Sequence, residues 1–190
     1  MSRRLLDGIE TKVLIEQKRE IQMKLLSLGW EIQDLVSKRE ERLFSDGDST
    51  RVILKTDKNN RTSSMQVDVD SMNSIDERNG CCSYVVQFGD IKKIREALSM
   101  SDFSNQRVLE FFQQAWMNES YGNDLNVIFE MLPFANILRI RGTSQKVEEL
   151  LEHLDLIYAE RLDCNYWTAY ENFCKVNSIV ERQNIEFGSN

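Results

Sequence analysis

Residues 126–142, with the sequence NVIFEMLPFANILRIRG, constrain the fold of this chain more than any other stretch. They contain the only proline of the chain, Pro133, between two apolar runs. In the second run, Leu138 and Ile140 alternate with Arg139 and Arg141. This period of two predicts two β-strands joined by a short loop, the second with one apolar and one cationic face. Because a buried arginine without a partner is very costly, both arginines need carboxylates, a phosphate ligand or water.

The composition favours a single globular domain over residues 1–190. The chain has 190 residues, 41% hydrophobic content, 29% charged residues and a formal net charge of −7. That length is enough to bury a substantial core. An acidic chain is a poor general nucleic-acid binder, so we expect no binding in a DNA or RNA groove. The first residues lack the apolar core of a signal peptide, and no apolar run is long enough for a membrane span, so we expect a cytoplasmic protein.

The cysteines and the single histidine disfavour a zinc site. Cys81 and Cys82 are adjacent, Cys164 and Cys174 stand apart, and no pair has C-x-x-C spacing. With His153 as the only histidine, a Cys/His zinc site is disfavoured, and we expect reduced, structural thiols. His153 itself is expected to be a surface or partly buried helix residue.

Apolar periodicity and turn residues predict the elements of secondary structure. Strands are expected at residues 9–15, 30–44 (as one or two segments), 51–56, 66–70, 83–88, 123–131 and 136–141. Four helices are expected. The first begins at Glu16 and is followed by Gly29 as its left-handed C-cap. The others cover residues 91–98 with Asp90 as cap, 147–154 with Thr143 or Ser144 as cap, and 166–176. Residues 107–117 suit either a helix or a long aromatic strand. Many strands without a regular βαβ rhythm indicate an α+β fold with a mainly antiparallel sheet.

The order and spacing of several segments resemble one family. These segments are the strand, helix and Leu-Gly of residues 9–29, the strand and Asp-x-x-x-Ile of 88–98, the hairpin, the helix after Gly142-Thr-Ser, the Leu154-Asp-Leu step, and the Tyr-rich segment 165–187. Together they resemble the CYTH family, the triphosphate tunnel fold of class IV adenylate cyclases and triphosphatases. The resemblance implies an eight-stranded antiparallel β tunnel or barrel with flanking helices, and it makes residues 107–117 a strand.

In the family, acidic residues hold Mg²⁺ or Mn²⁺ while lysines and arginines hold the triphosphate. The family signature E-x-E-x-K is matched by Gly8-Ile9-Glu10-Thr11-Lys12, so Gly8 replaces the first acid. The late strand of the family usually reads F-x-E-I-E-G, and here Arg139 and Arg141 replace both glutamates. The resemblance thus suggests the fold, and these substitutions argue against metal-dependent catalysis, since positive charge at ligand positions repels the cation.

The residues that match family positions form the predicted site. As phosphate-binding residues the resemblance gives Lys12, Arg51, Lys55, Arg139 and Arg141, and as metal ligands Glu10 and Glu130. No catalytic residue is assigned. For Glu130 we favour pairing with the arginines that return opposite it across the hairpin, because opposite charges stabilise cross-strand pairs.

Simpler explanations stay open for each of these groups. Glu10 and Lys12 also suit an ordinary amphipathic strand, and the basic residues of strand 51–56 also suit a solvated sheet edge. Asp68 and Asp70 share a strand face and could bind a metal, although paired acids are equally typical of a solvated face. Arg139 and Arg141 also suit a salt-bridged sheet face.

Three functions are compatible with these residues. We favour a divergent, non-catalytic protein (a pseudoenzyme) that binds a nucleotide, polyphosphate or other phosphorylated small molecule in a cationic tunnel. One alternative is a metal-dependent triphosphatase or class IV adenylate cyclase, which would use Mg²⁺ or Mn²⁺. Another is a structural or regulatory interaction protein, acting as a homodimer or with a protein partner, whose tunnel is filled by its own ion pairs.

Overall fold

The described part of the chain forms nine strands and four helices. The structure, a computed structural model, describes residues 8–44, 50–57, 62–70, 81–88, 91–101, 103, 105–122 and 124–188. Their elements follow in the order β1 (Ile9–Leu14), α1 (Lys18–Ser27), β2 (Glu31–Phe44), β3 (Thr50–Asp57), β4 (Thr62–Asp70), β5 (Cys81–Phe88), α2 (Ile91–Ser99), β6 (Asn105–Met117), β7 (Leu125–Met131), β8 (Asn136–Gly142), α3 (Ser144–His153), α4 (Tyr166–Asn177) and β9 (Asn184–Ile185). The predicted α+β class is confirmed.

The eight long strands belong to one sheet in the order β1-β8-β7-β6-β2-β3-β4-β5. The β1–β8, β7–β8, β6–β7, β2–β3, β3–β4 and β4–β5 ladders are antiparallel, as predicted. Within the described residues the sheet is not closed, because β1 and β5 stand at the two ends of this order. The short strand β9 pairs in parallel with β6, and the sequence pattern did not predict it.

The chain divides into two compact units. The first unit comprises Met1–Leu35 and Phe112–Glu181, and the second comprises Val36–Phe111 and Arg182–Asn190. The expectation of one domain over residues 1–190 stays a prediction.

The core of the first unit lies between one face of β1, β7 and β8 and the helices α1 and α3. Alternate strand residues such as Val13, Val127 and Leu138 are fully buried there. Because side chains alternate across a strand, the residues between them lie on the opposite face of the sheet. The apolar stripe of α3 closes this core with Val147, Leu150, Leu151 and Leu154.

The second unit has its own, smaller core. Leu43, Val52 and Leu54 on β2 and β3 are buried. The apolar face of α2 packs against them with partly buried side chains only, namely Ile91, Ile94 and Leu98. Asp90, the predicted cap of this helix, lies outside the described residues.

Most differences from the predicted elements concern boundaries. Residues 107–117, which suit helix or strand, lie in strand β6 (Asn105–Met117), as the resemblance implied. Helix α1 begins at Lys18 rather than at Glu16, because the Ile15 N–H still donates to the Asn136 carbonyl at 2.9 Å and keeps the chain extended. The predicted one or two segments over residues 30–44 are one strand.

Two predicted helix-terminal residues, Gly29 and Thr143, are confirmed, whereas the cap of α4 was not predicted. Gly29 follows α1 with φ of 80°, the left-handed conformation expected after a helix. Thr143, rather than Ser144, caps α3 and accepts a hydrogen bond from the Lys146 N–H. The side chain of Asn165 caps α4 by accepting from two backbone N–H groups.

His153 and the described cysteines have no special environment. His153 is the exposed last residue of α3, as predicted. Cys164 is partly buried, Cys174 is buried, and both are free thiols. Cys81 and Cys82 lie on β5, but their side chains are outside the described part of the structure. Among the described residues, no helix is both long and apolar enough to cross a membrane.

Replacing Gly142 with alanine should destabilise the hairpin. A Cβ at this position would lie 2.8 Å from the Asp124 carbonyl oxygen and 2.6 Å from Leu125 Cδ1. Since backbone cannot move aside cheaply, we expect Gly142→Ala to lower the free energy of unfolding by about 1–3 kcal/mol. Urea denaturation measures the change, and Gln145→Ala on the exposed surface of α3 is the matched control. Equal midpoints for the two variants would contradict the close contact.

Candidate functional site

The charged residues of β1, β7 and β8 lie on one face of the first unit, which we call the polar face. In the β1–β8 ladder, Lys12 is opposite Arg139 and Glu10 is opposite Arg141. The apolar residues between them, such as Val13 and Leu138, are buried on the other side of the sheet. The period-two alternation read from the sequence therefore separates a core face from a polar face.

Glu130 on β7 is the buried anchor of the polar face. Its side chain is 1% exposed. One oxygen accepts a hydrogen bond from Gln113 Nε2 at 2.6 Å and forms an ion pair with Arg139 Nη2 at 3.1 Å, and the other accepts a hydrogen bond from the Tyr166 hydroxyl. Two hydrogen bonds, from β6 and α4, and one ion pair, with β8, thus compensate the charge of a carboxylate that would otherwise be costly to bury.

Arg139 bridges the two acids that the resemblance gave as metal ligands. Its Nη2 contacts Glu130, and its Nη1 lies 3.7 Å from Glu10 Oε2. The predicted pairing of Glu130 with a hairpin arginine is confirmed for Arg139. Directly opposite Arg139 on β7 is Ile128, so the pair is diagonal across the two strands. The Nε of Arg139 is buried and has no hydrogen-bond partner in the described residues.

The donor set on this face does not fit a divalent metal. Mg²⁺ and Mn²⁺ need several free oxygen ligands, and Glu130 is already engaged in two hydrogen bonds and one ion pair. The guanidinium of Arg139 lies between Glu130 and Glu10, where it supplies the positive charge that a cation would supply. Among the described residues, no group of three or more His, Cys, Asp or Glu side chains is arranged to hold a metal ion.

Lys12 and Arg141 supply the remaining positive charge of the polar face. Lys12 Nζ lies 5.1 Å from the centre of the Tyr166 ring, a cation–π distance, and 3.9 Å from Glu10 Oε1. Arg141 is exposed and forms no ion pair with any described residue. Three cationic and two acidic side chains therefore share this face.

A pocket of about 350 Å³ lies beside Lys12 at the outer edge of β1. It is lined by Glu10, Thr11, Lys12, Arg161, Leu162 and Asp163. The segment carrying Arg161 runs along β1, since Leu162 N–H donates to the Lys12 carbonyl and Leu14 N–H donates to the Glu160 carbonyl. This segment gives the pocket a second cationic residue in addition to Lys12.

The other predicted residues are not brought to this face within the first unit. Lys55 belongs to the second unit, is exposed, and donates to Gln66 Oε1 at 3.3 Å. Arg51 lies on the same strand, but its side chain is outside the described residues, as are the side chains of Asp68 and Asp70 on β4. Within the first unit, the predicted phosphate-binding residues Lys12, Arg139 and Arg141 share one face.

Sequence reasoning missed Tyr166, Gln113 and Arg161 as residues of this site. Tyr166 is the first residue of α4, and the Asn165 cap that sets where this helix begins was a usable signal for its position. Its contact with Glu130 joins elements 36 residues apart, and no local period encodes that distance.

Burial of Tyr166, followed by the nearby charge of Glu130, raises the pKa of its phenol far above the ordinary tyrosine value. The folded state therefore holds this proton more tightly than the unfolded chain. This difference in pKa stabilises the folded state. The stabilisation is fully present below the ordinary tyrosine pKa near 10, and it is lost as the pH rises toward the pKa of Tyr166 in the folded protein.

We expect Glu130→Ala to destabilise the protein much more than Glu10→Ala. Removing Glu130 leaves Arg139 partly buried without its main partner, a loss of about 3 kcal/mol. Glu10 is 38% exposed and lies farther from Arg139, so its removal should cost less than about 1 kcal/mol. Urea denaturation of both variants measures the difference, and equal losses would argue against Glu130 as the anchor.

We also expect Tyr166 to stay protonated while exposed tyrosines ionise. Tyrosinate absorbance of the folded protein between pH 9 and 12 should have the same amplitude in Tyr166→Phe as in the unchanged chain. Tyr158, which is 99% exposed, is the matched control, and Tyr158→Phe should remove one tyrosine from that amplitude. If Tyr166→Phe also lowers the amplitude by the contribution of one tyrosine, Tyr166 ionises in this pH range and its pKa is not raised as described.

Comparison with known proteins supports the fold. No family model and no curated protein sequence matches this chain. Solved structures do match, including the PH1012 protein of Pyrococcus horikoshii OT3, with a TM-score of 0.61 and 14% identity over 84% of this chain and 96% of that one. The PH1819 protein of the same organism matches with a TM-score of 0.59 and 14% identity over 87% and 98%.

A candidate adenylate cyclase from Vibrio parahaemolyticus also matches, with a TM-score of 0.58 and 8% identity over 86% of this chain and 97% of that one. These identities are low, so the likeness concerns the fold. It agrees with the resemblance read from the sequence segments. The chain therefore has the fold of the CYTH, or triphosphate tunnel, proteins.

Proposed function

We propose that this protein binds a phosphorylated ligand, a nucleotide or polyphosphate, on the polar face of its first unit without using a metal ion. The observation that carries the proposal is the bridge formed by Arg139 between Glu130 and Glu10. An arginine held in this way leaves no place for a cation between the two carboxylates. It also presents a rigid guanidinium, the group best suited to bind phosphate oxygens.

The surroundings of Arg139 support an anionic ligand. Arg141 is exposed and unpaired among the described residues, and Lys12 has only a long contact to Glu10. Both can turn toward a phosphate without breaking a short ion pair. The pocket beside Lys12, with Arg161 on its wall, gives room for part of such a ligand. Charge-assisted hydrogen bonds from several such groups are the usual basis of phosphate binding.

Catalysis would need a metal or another electrophile where the charge develops. The Vibrio neighbour is described as a candidate adenylate cyclase, and that activity is not carried over to this chain at 8% identity. Gly8, Arg139 and Arg141 stand at family positions for metal-binding acids, and Glu130 is engaged in two hydrogen bonds and one ion pair. We therefore propose binding without turnover, and the metal role of Glu10 and Glu130 stays an untested prediction.

A second candidate function, a non-catalytic interaction protein, is favoured by the ion pairs that each unit forms within itself. In the second unit, Lys38 pairs with Asp57 at 2.7 Å and Arg42 with Glu40 at 2.8 Å. In the first unit, Arg139 has two acidic partners. A protein whose charges are satisfied internally needs no small ligand, and its surface would serve a partner instead.

Thermal unfolding with sodium tripolyphosphate in the presence of a chelator tests the proposal. A ligand that binds only the folded state at about 100 times its Kd stabilises by about 2.7 kcal/mol. We expect a rise in Tm without metal, and we expect Arg141→Ala to weaken binding about tenfold, the loss of one charge-assisted hydrogen bond. Arg19→Ala, an exposed arginine of α1, is the matched control and should keep full binding.

The same experiment separates the alternatives. A rise in Tm that appears only with Mg²⁺ or Mn²⁺ would contradict metal-free binding and support an enzyme, to be followed by phosphate-release and cyclisation assays. No rise with tripolyphosphate, ATP or other nucleotides would contradict the proposal in favour of the interaction protein.

A further inference from the structure

A short segment of the second unit, residues 183–186, is docked on β6 as an added strand. We call it the docked segment. Asn184 and Ile185 pair in parallel with Val108 and Leu109, and the Val108 N–H donates to the Gln183 carbonyl at 3.0 Å. The β6–β7 ladder involves only residues 112–116 of β6, so the docked segment pairs with an earlier part of the strand.

The contacts of the docked segment are concentrated in two side chains. Ile185 is 4% exposed and lies beside Val108 and Leu109, which are also buried. By contrast, every residue from 175 to 184 is exposed. This exposed run begins in the last turn of α4, and Ile185 is the first residue after Cys174 to be buried.

The second anchor is the ion pair between Glu186 and Arg39. Glu186 Oε1 lies 2.6 Å from Arg39 Nη1. Arg39 also contacts Glu41 through Nε at 2.9 Å and Glu110 through Nη1 at 3.1 Å. When Glu186 leaves, Arg39 therefore keeps two acidic partners. No buried charge is left without an oppositely charged partner.

Glu41, the buried centre of this network, also stays compensated when the docked segment leaves. It is 1% exposed and accepts from Arg39, from Arg95 and from Gln106 Nε2 at 3.0 Å. Burial alone would raise the pKa of Glu41, but the hydrogen bonds from Arg95 and Arg39 outweigh burial and lower that pKa. Glu41 thus holds the Arg39 side chain in position, so Arg39 can bind an acidic side chain whether or not Glu186 is docked.

We propose that this edge of β6 is a binding slot for an extended peptide. The slot recognises a branched apolar residue followed by an acidic one, and the docked segment of the same chain occupies it. The partner is a protein segment of the same chemistry, which adds a strand to β6 and presents its carboxylate to Arg39. Strand addition of this kind takes affinity from main-chain hydrogen bonds and specificity from side-chain pockets. This slot is separate from the polar face and does not depend on phosphate binding there.

The docked segment competes with such a partner for the binding slot. Tethered through exposed residues, it is present at an effective concentration in the millimolar range. A partner in trans therefore binds weakly until the docked segment is displaced or weakened. The slot is thereby kept closed in the isolated chain.

The test is binding of a fluorescent peptide of residues 181–188 (ERQNIEFG), measured by anisotropy, to the full chain and to Ile185→Asp. We expect the variant, whose own segment cannot bury an aspartate, to bind the peptide at least about tenfold more tightly than the unchanged chain. Val180→Asp is the matched control. Val180 is 84% exposed in the same run, so this variant should bind as weakly as the unchanged chain.

Hydrogen exchange at the Val108 amide gives an independent readout, because this N–H donates to Gln183. Its exchange should accelerate in Ile185→Asp and slow again when the peptide is added. A peptide carrying aspartate in place of its isoleucine should neither bind nor slow the exchange. If Ile185→Asp does not fold, Glu186→Lys, which opposes Arg39, serves in the same assays with the same expected results.

Two results would overturn the proposal. One is equal peptide affinity for the unchanged chain and the folded variant, which would show that the docked segment does not occupy the binding place. The other is no binding to the variant at millimolar peptide together with unchanged Val108 exchange, which would show that the segment is not detachable.

Discussion

The burial of Glu130 is the constraint on which the polar face depends. A carboxylate with 1% exposure must be compensated, and the structure supplies Arg139, Gln113 and Tyr166 from three different elements. This requirement fixes the position of Arg139, which in turn reaches Glu10 on β1. The same bridge places a guanidinium between the two acids, so the burial of one carboxylate fixes both the contact of Tyr166 with the sheet and the charge arrangement of the face.

The fold of this chain thus matches that of the triphosphate tunnel proteins, but the residues at the metal-binding positions of that family differ. The strand order, the helices and the likeness to the Pyrococcus structures all belong to the triphosphate tunnel fold. On the polar face, however, the guanidinium of Arg139 lies between the carboxylates of Glu130 and Glu10. Each unit contains buried acids paired with basic side chains, such as Glu130 with Arg139 and Asp57 with Lys38.

Much of the fold could be predicted from the sequence, because local patterns encode it. The β7–β8 hairpin followed from alternation around Pro133, and the Glu130–Arg139 pair followed from cross-strand geometry. Strand β6 could not be assigned from its own residues, since its aromatic and glutamine residues suit a helix equally well. Tyr166 above Glu130 and the two-residue strand β9 depend on contacts distant in sequence, and no local period signals them.

The most direct test of the central claim is the side-chain Nε–Hε NMR resonance of Arg139, which should be observable because this nitrogen is buried. Metal-free tripolyphosphate should shift the resonance, and paramagnetic Mn²⁺ alone should leave it sharp. Broadening by Mn²⁺ alone, together with no shift from metal-free tripolyphosphate, would show that the two carboxylates hold a metal and would contradict the account.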